Sequence, residues 1–185
     1  MYDLHSILIQ LKKEDTPLHG VMVRCVRCFY QWLDPTLWEG SALFELWAQE
    51  LELIYGDLRQ RLSPNAKTDA GSLGDRFGFD TPPELPRLLQ SIQTFYSVLI
   101  KFIAWNTLRG TTPEPPLTEL LSGRAFVNRG IRNFCGDDWY IWPLDIWDPA
   151  LETQCEELRA CLEAFDTCPE GSTLSPDSLS RIYET

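Results

Sequence analysis

The sequence predicts an all-α protein: an irregular multi-helix bundle around a buried central helix at about residues 84–108, with little or no sheet. Three observations lead there. Apolar residues recur at three and four almost throughout, one long stretch is apolar on most of its faces, and no run alternates well enough to build a sheet.

Tyr2 to Lys13 reads as a short amphipathic helix, and Leu18 to Leu33 as a second one ended by Asp34-Pro35. Ser41 fits an N-cap with Glu45 in the first turn, which predicts a helix to about Leu62. Its face uses Phe44, Trp47, Leu51, Ile54 or Tyr55, and Leu58. The stretch 63–83 holds three Gly and three Pro with no sustained period, and reads as a loop. From Glu84 to Leu108, Leu85, Leu89, Ile92, Tyr96, Leu99 and Ile103 follow at helical spacing, and Phe95, Val98, Phe102 and Trp105 extend the apolar surface around the other side. A helix that apolar on most faces belongs in the middle of a bundle. Gly110 ends it and Thr111-Thr-Pro-Glu-Pro-Pro116 is a stiff connector. Leu117–Ser122 has the length of a helical turn, and Ser122–Phe134 has no decisive pattern. Asp148-Pro149 opens another helix, Asp as cap and Pro in the first turn, with Leu151, Cys155, Leu158, Leu162 and Phe165 as its apolar stripe. Residues 167–176 read as a linker to a C-terminal helix that begins at Ser178.

At 185 residues the chain is long enough for one domain, 1–185, with a substantial core. Its net charge of −11 is uneven: residues 134–185 hold twelve acids against two arginines, a net of −10. Such a surface repels a phosphate backbone, so this third meets DNA only indirectly and suits a basic protein partner. The N-terminus lacks the charge order of a secretory signal, and the apolar run FYSVLIKFIAW is too short for a membrane span and carries Lys101. The expected location is the cytoplasm, with no membrane partner and with six reduced cysteines.

Candidate chemistry is sparse. Cys25-Val-Arg-Cys28 has no second ligand pair for zinc, so the two thiols read as small buried hydrophobes on one helix face. The only histidines, His5 and His19, are far apart in sequence. None of the four lysines follows an Asp or Glu by two positions, which removes the Asp/Glu-x-Lys pattern of one nuclease class. Gly71, Gly74 and Gly78 lack the preceding strand and following helix of a phosphate loop, so no cofactor is expected in this chain. The densest stretch is FCGDDWYIWPLDIWDPALE, residues 134–152. Asp137, Asp138, Asp145 and Asp148 could ligate a hard cation, although their spacing matches no EF-hand. Trp139, Trp142 and Trp147 could form an aromatic platform for a sugar or base. The plainer reading, favoured here, is that the rings plug the bundle while Asp148 caps a helix and the other acids stay solvated.

Several segments together resemble a known family. LFELWAQELELIYGDL (43–58), TFYSVLIKFIAWNTL (94–108), the 134–152 stretch, LEAFD (162–166) and LSRIYET (179–185) occur in an order similar to the helical region upstream of the catalytic domain in large adenine-specific DNA methyltransferases of restriction–modification and phage-defence systems. The resemblance covers most of residues 40–185, and Trp47, Tyr55, Tyr96, Lys101, Trp139 and Tyr183 match family positions. None of these is catalytic in the family. The family's catalytic motif, Asn or Asp followed by Pro-Pro and an aromatic, is absent: Asp80-Thr-Pro-Pro83 has an extra residue and is followed by Glu84. In the family, the helix matching Leu179–Thr185 leads to a Gly-rich segment that begins S-adenosylmethionine binding. The resemblance therefore implies a helical N-terminal or connector module, not an enzyme by itself. Its expected partner is a methyltransferase catalytic domain or subunit, in cis or in trans. The positions expected to serve structure or interaction are Trp47, Tyr96, Lys101, Trp139, Trp142, Trp147, Asp148 and Tyr183. The alternative is a stand-alone acidic adaptor or inhibitor that docks a basic protein surface.

Overall fold

The computed structural model describes residues 4–34, 44–50, 71, 73–108, 110–135, 140–147 and 149–163. Among them the regular structure is helical and no strand occurs, so the all-α expectation holds. In chain order the elements are α1 (Leu4–Lys12), α2 (Pro17–Trp32), α3 (Leu85–Leu108), α4 (Leu117–Leu121), α5 (Arg124–Val127), a 3₁₀ turn (Trp142–Leu144) and α6 (Pro149–Glu163). Residues 44–50 and 73–76 are also helical.

The corner between α1 and α2 is closed by side chains that satisfy helix ends. Thr16 is the N-cap of α2: its hydroxyl accepts from the His19 N–H at 3.2 Å and lies 2.6 Å from the Gln10 carbonyl of α1, and Pro17 takes the first helical position. His19 is buried, with Nδ1 2.9 Å from the Leu11 carbonyl. A carbonyl only accepts, so Nδ1 carries the proton. At the other end of α2, Arg87 donates from Nε to the Tyr30 carbonyl at 2.6 Å and lies 4.1 Å from the centre of the Tyr30 ring. It thus supplies a cation to the last turn, where unpaired carbonyls favour one. The Tyr30 hydroxyl in turn accepts from the Glu84 N–H at 2.9 Å, which fixes the entry to α3.

α3 is buried along half of its 24 residues, as its apolar faces predict. α2 packs against α1, α3 and α6, and α3 also touches α4 and α6. The main core therefore lies between α2, α3 and α6. It includes Phe29, Leu88, Phe95, Leu99, Ile103, Leu151 and Leu158, each at most 1% exposed.

One expectation needs correction. The stretch 63–83 is not loop throughout: residues 73–76 are helical and Phe77 is buried. The turn ends in a Schellman motif, with Phe79 N–H bonded to the Gly74 carbonyl, Gly78 N–H to the Asp75 carbonyl, and Gly78 at φ +68°. A single turn is too short to register as a period. The expected helix 41–62 is seen over 44–50, and its remainder lies outside the described residues. So do Trp139, Asp148, Tyr183, the linker 167–176 and the C-terminal helix. The undecided stretch 122–134 contains α5, whose Schellman end pairs Gly130 N–H with the Val127 carbonyl and Ile131 N–H with the Phe126 carbonyl.

Candidate functional site

Trp142 is 1% exposed and packs edge-on against Phe29 of α2, with ring centroids 5.8 Å apart. Its Nε1–H donates to the Thr94 hydroxyl at 3.0 Å, and that hydroxyl donates to the Gln90 carbonyl at 2.8 Å. Tyr140 donates from its hydroxyl to Gln93 Oε1 at 2.7 Å. Trp147 is half-buried against the core and Asp145 is exposed. Trp142 therefore plugs the bundle over α3, as the packing reading expects. Asp137 and Asp138 lie outside the described residues, and among those described no group of three His, Cys, Asp or Glu can hold a metal.

Lys101 is also buried. It is 2% exposed, and its ammonium donates to the Leu121 carbonyl at the end of α4 at 2.8 Å. Steps of four and seven residues bring Gln90, Thr94 and Lys101 to one side of α3. They form a buried polar stripe on a helix that otherwise reads as apolar. Trp47 is buried and stacked on Phe44, with centroids 6.1 Å apart. Tyr96 is half-buried; burial raises its hydroxyl pKa, and Arg76 offsets part of that rise. Trp47, Tyr96 and Lys101 are thus packing positions, and none of them lines the clefts below.

A second cluster was not visible in the sequence. Cys25 and Cys28 of α2 meet Cys155 of α6 where the two helices pack. Cys25 and Cys155 are each 1% exposed, and Cys25 Sγ lies 3.7 Å from the Gln154 carbonyl. Burial, followed by the neighbouring Cys155 and Cys28, pushes the Cys25 thiol well above its ordinary pKa. Burial, followed by Cys28, pushes Cys155 up to about 12. The reading of both Cys25 and Cys28 as buried hydrophobes holds for Cys25 only. Cys28 is half-buried, because its position on α2 falls at the edge of the seam.

Two open clefts run along that seam. One, of about 650 Å³, is bordered by Thr16, Gly20, Arg24, Glu157 and Cys161. The other, of about 340 Å³, is bordered by Arg24, Arg27, Cys28 and Gln154. Arg24 spans the seam to Glu157 at 2.6 Å, but the two side chains are 52% and 42% exposed, so the pair adds little stability. A third cleft, of about 370 Å³, lies between the proline-rich connector and α6 and is bordered by Glu114, Glu152, Glu156 and Arg159.

Among the described residues, no helix is long and apolar enough to cross a membrane. No protein-family model, curated protein or solved structure matches the chain.

Proposed function

We propose that this chain is a non-catalytic helical N-terminal or connector module of a DNA adenine methyltransferase-like defence protein, and that it works by packing against the methyltransferase core. One observation carries the reading. Lys101, the charged residue at a matching position, is buried and engaged with the Leu121 carbonyl, so it orders the module's own helices. Trp47 is likewise buried. A scaffold of this kind contributes shape and rigidity, while S-adenosylmethionine binding and base chemistry belong to the partner, through which DNA is met.

The test mixes the purified chain with labelled S-adenosylmethionine and an adenine-containing duplex, alone and with a methyltransferase core from the same locus. The expected result is no label transfer by the chain alone and co-elution with the core on size exclusion. Methyl transfer by the chain alone would overturn the proposal.

The acidic adaptor is a second reading, favoured by the exposure of Glu152 and Glu163 on α6. It expects salt-sensitive binding to a basic protein surface with no methyltransferase present.

A further inference from the structure

We propose that the loop 123–134, built around α5, is a docking surface for the phosphate backbone of duplex DNA. The chain carries a net charge of −11, yet Leu120 to Gly136 holds three arginines and no acid. The flanking acids in the sequence are Glu119 and Asp137. The loop closes on itself at its base. A Cβ added at Gly123 would lie 1.9 Å from the Phe134 carbonyl oxygen, and the Phe126 and Phe134 ring centroids are 4.6 Å apart. Arg124, Arg129 and Arg132 are therefore confined to one short closed loop, and all three are exposed.

Arg129 is already engaged. It donates to the Thr112 hydroxyl of the proline-rich connector and so holds the loop in place. Arg124 and Arg132 are the binding groups. Arg124 uses Nε towards the Ser122 hydroxyl at 3.3 Å, which leaves the N–H groups of both terminal nitrogens. Among the described residues neither Arg124 nor Arg132 reaches a carboxylate. The rest of the loop favours phosphate over an acidic protein. Exposed Asn128 and Asn133 add neutral donors, and Val127 is the one large apolar side chain exposed here among the described residues. A protein interface centres on aromatic or apolar anchors, which such a surface does not offer. Single strands are held by stacking on exposed rings, but Phe126 is buried and Phe134 is half-buried against it. Contact with duplex phosphates needs only cations and donors, and it positions the duplex without reading its sequence. The acidic remainder of the chain repels the same duplex, so binding through this loop alone is weak.

The test titrates the folded, ¹⁵N-labelled full chain with a short random-sequence DNA duplex at low salt and follows the amide resonances. The expected result is shifts concentrated in residues 123–134, with half-saturation on the order of 10⁻⁴ M. Two phosphate contacts should give a slope of log affinity against log salt near about −2. The double variant Arg124→Gln/Arg132→Gln should lose affinity by about tenfold or more, while its urea midpoint stays unchanged because both side chains are exposed. No shifts, shifts centred outside the loop, affinity independent of salt, or full affinity in the double variant would each overturn the proposal. So would equal or tighter binding of a poly-glutamate peptide, which would make the loop a protein-docking site, or of a single-stranded oligonucleotide. Nothing here depends on the methyltransferase reading, in which DNA is met through the partner. Absence of duplex binding would leave co-elution with the core untouched, and failure to co-elute would leave the loop's binding of DNA as it is.

Discussion

Replacing Gly123 by alanine should destabilise the fold far more than replacing Gly130, although both have φ +77°. The left-handed backbone strain, about 1–2 kcal/mol, is common to the two substitutions and cancels in the comparison. So does most of the entropy alanine removes from the unfolded chain, about 0.4–1 kcal/mol in the opposite direction. What differs is space. A Cβ at Gly130 meets nothing within 4 Å, whereas one at Gly123 would lie 1.9 Å from the Phe134 carbonyl oxygen and 2.4 Å from its carbon. These are backbone atoms and cannot rotate away. Relief requires a backbone shift that disturbs the Phe126–Phe134 ring contact, whose centroids are 4.6 Å apart. Overpacking of this kind adds roughly 1–3 kcal/mol. Gly130→Ala should therefore cost about 1 kcal/mol, and Gly123→Ala about 2–4 kcal/mol. Urea titration followed by far-UV circular dichroism measures both. For a chain of this size each kcal/mol also lowers Tm by about 2–4 °C. Midpoints within about 0.5 kcal/mol of each other would refute the packing of Phe134 onto Gly123. Failure of Gly123→Ala alone to fold would preserve the predicted order.

Three further outcomes follow from the core. Lys101→Met leaves the buried Leu121 carbonyl without its ammonium donor and should cost about 1–3 kcal/mol in the same titration. Trp142→Ala should cost about 3–5 kcal/mol, and Trp142→Phe less, since it keeps a ring against Phe29 but loses the bond to Thr94; denaturant midpoints rank the three proteins. Folded Cys155 holds its proton up to about pH 12 against an ordinary value of 9.0, and Cys25 is displaced in the same direction. Their contribution is complete below pH 9 and is lost as pH rises towards 12, by up to about 1.4 kcal/mol per pH unit for each thiol. Urea midpoints between pH 8 and 11 should fall less steeply in Cys155→Ala.

The parts of this fold legible in the sequence are those where one physical rule acts along a long stretch. α3 has 24 residues of helical spacing, and the sequence after α2 carries the stop signal Asp34-Pro35, so periodicity and punctuation suffice for them. The turn at 73–76 and α5 are too short for a period. Their signals are the glycines at 78 and 130, which read as loop until the carbonyls they satisfy are known. Trp142 was legible as packing because no companion ligand accompanied it, but its partners Thr94 and Phe29 depend on how α3 and α2 cross. The thiol cluster was hidden for the same reason. Cys155 stands 127 positions beyond Cys28, and only the packing of α6 on α2 brings it near.

α2 is held at both ends, which fixes how its sides face the rest of the bundle. Both of its ends are fixed by residues distant in sequence or by their own cap: Thr16 and His19 meet α1 at the start, and Arg87 holds the carbonyls at the finish. Its inner face, with Val26 and Phe29, is buried in the core shared with α3. The rows bearing Arg24, Arg27 and Cys28 are left at the rim towards α6. A helix fixed at both ends presents that rim in one orientation. Lys101 and the polar stripe lie on α3, away from that cleft's border. A substitution at Cys28 should therefore leave the Lys101–Leu121 contact intact. It would alter only the α2–α6 seam, so any effect on partner binding would locate the partner on that face.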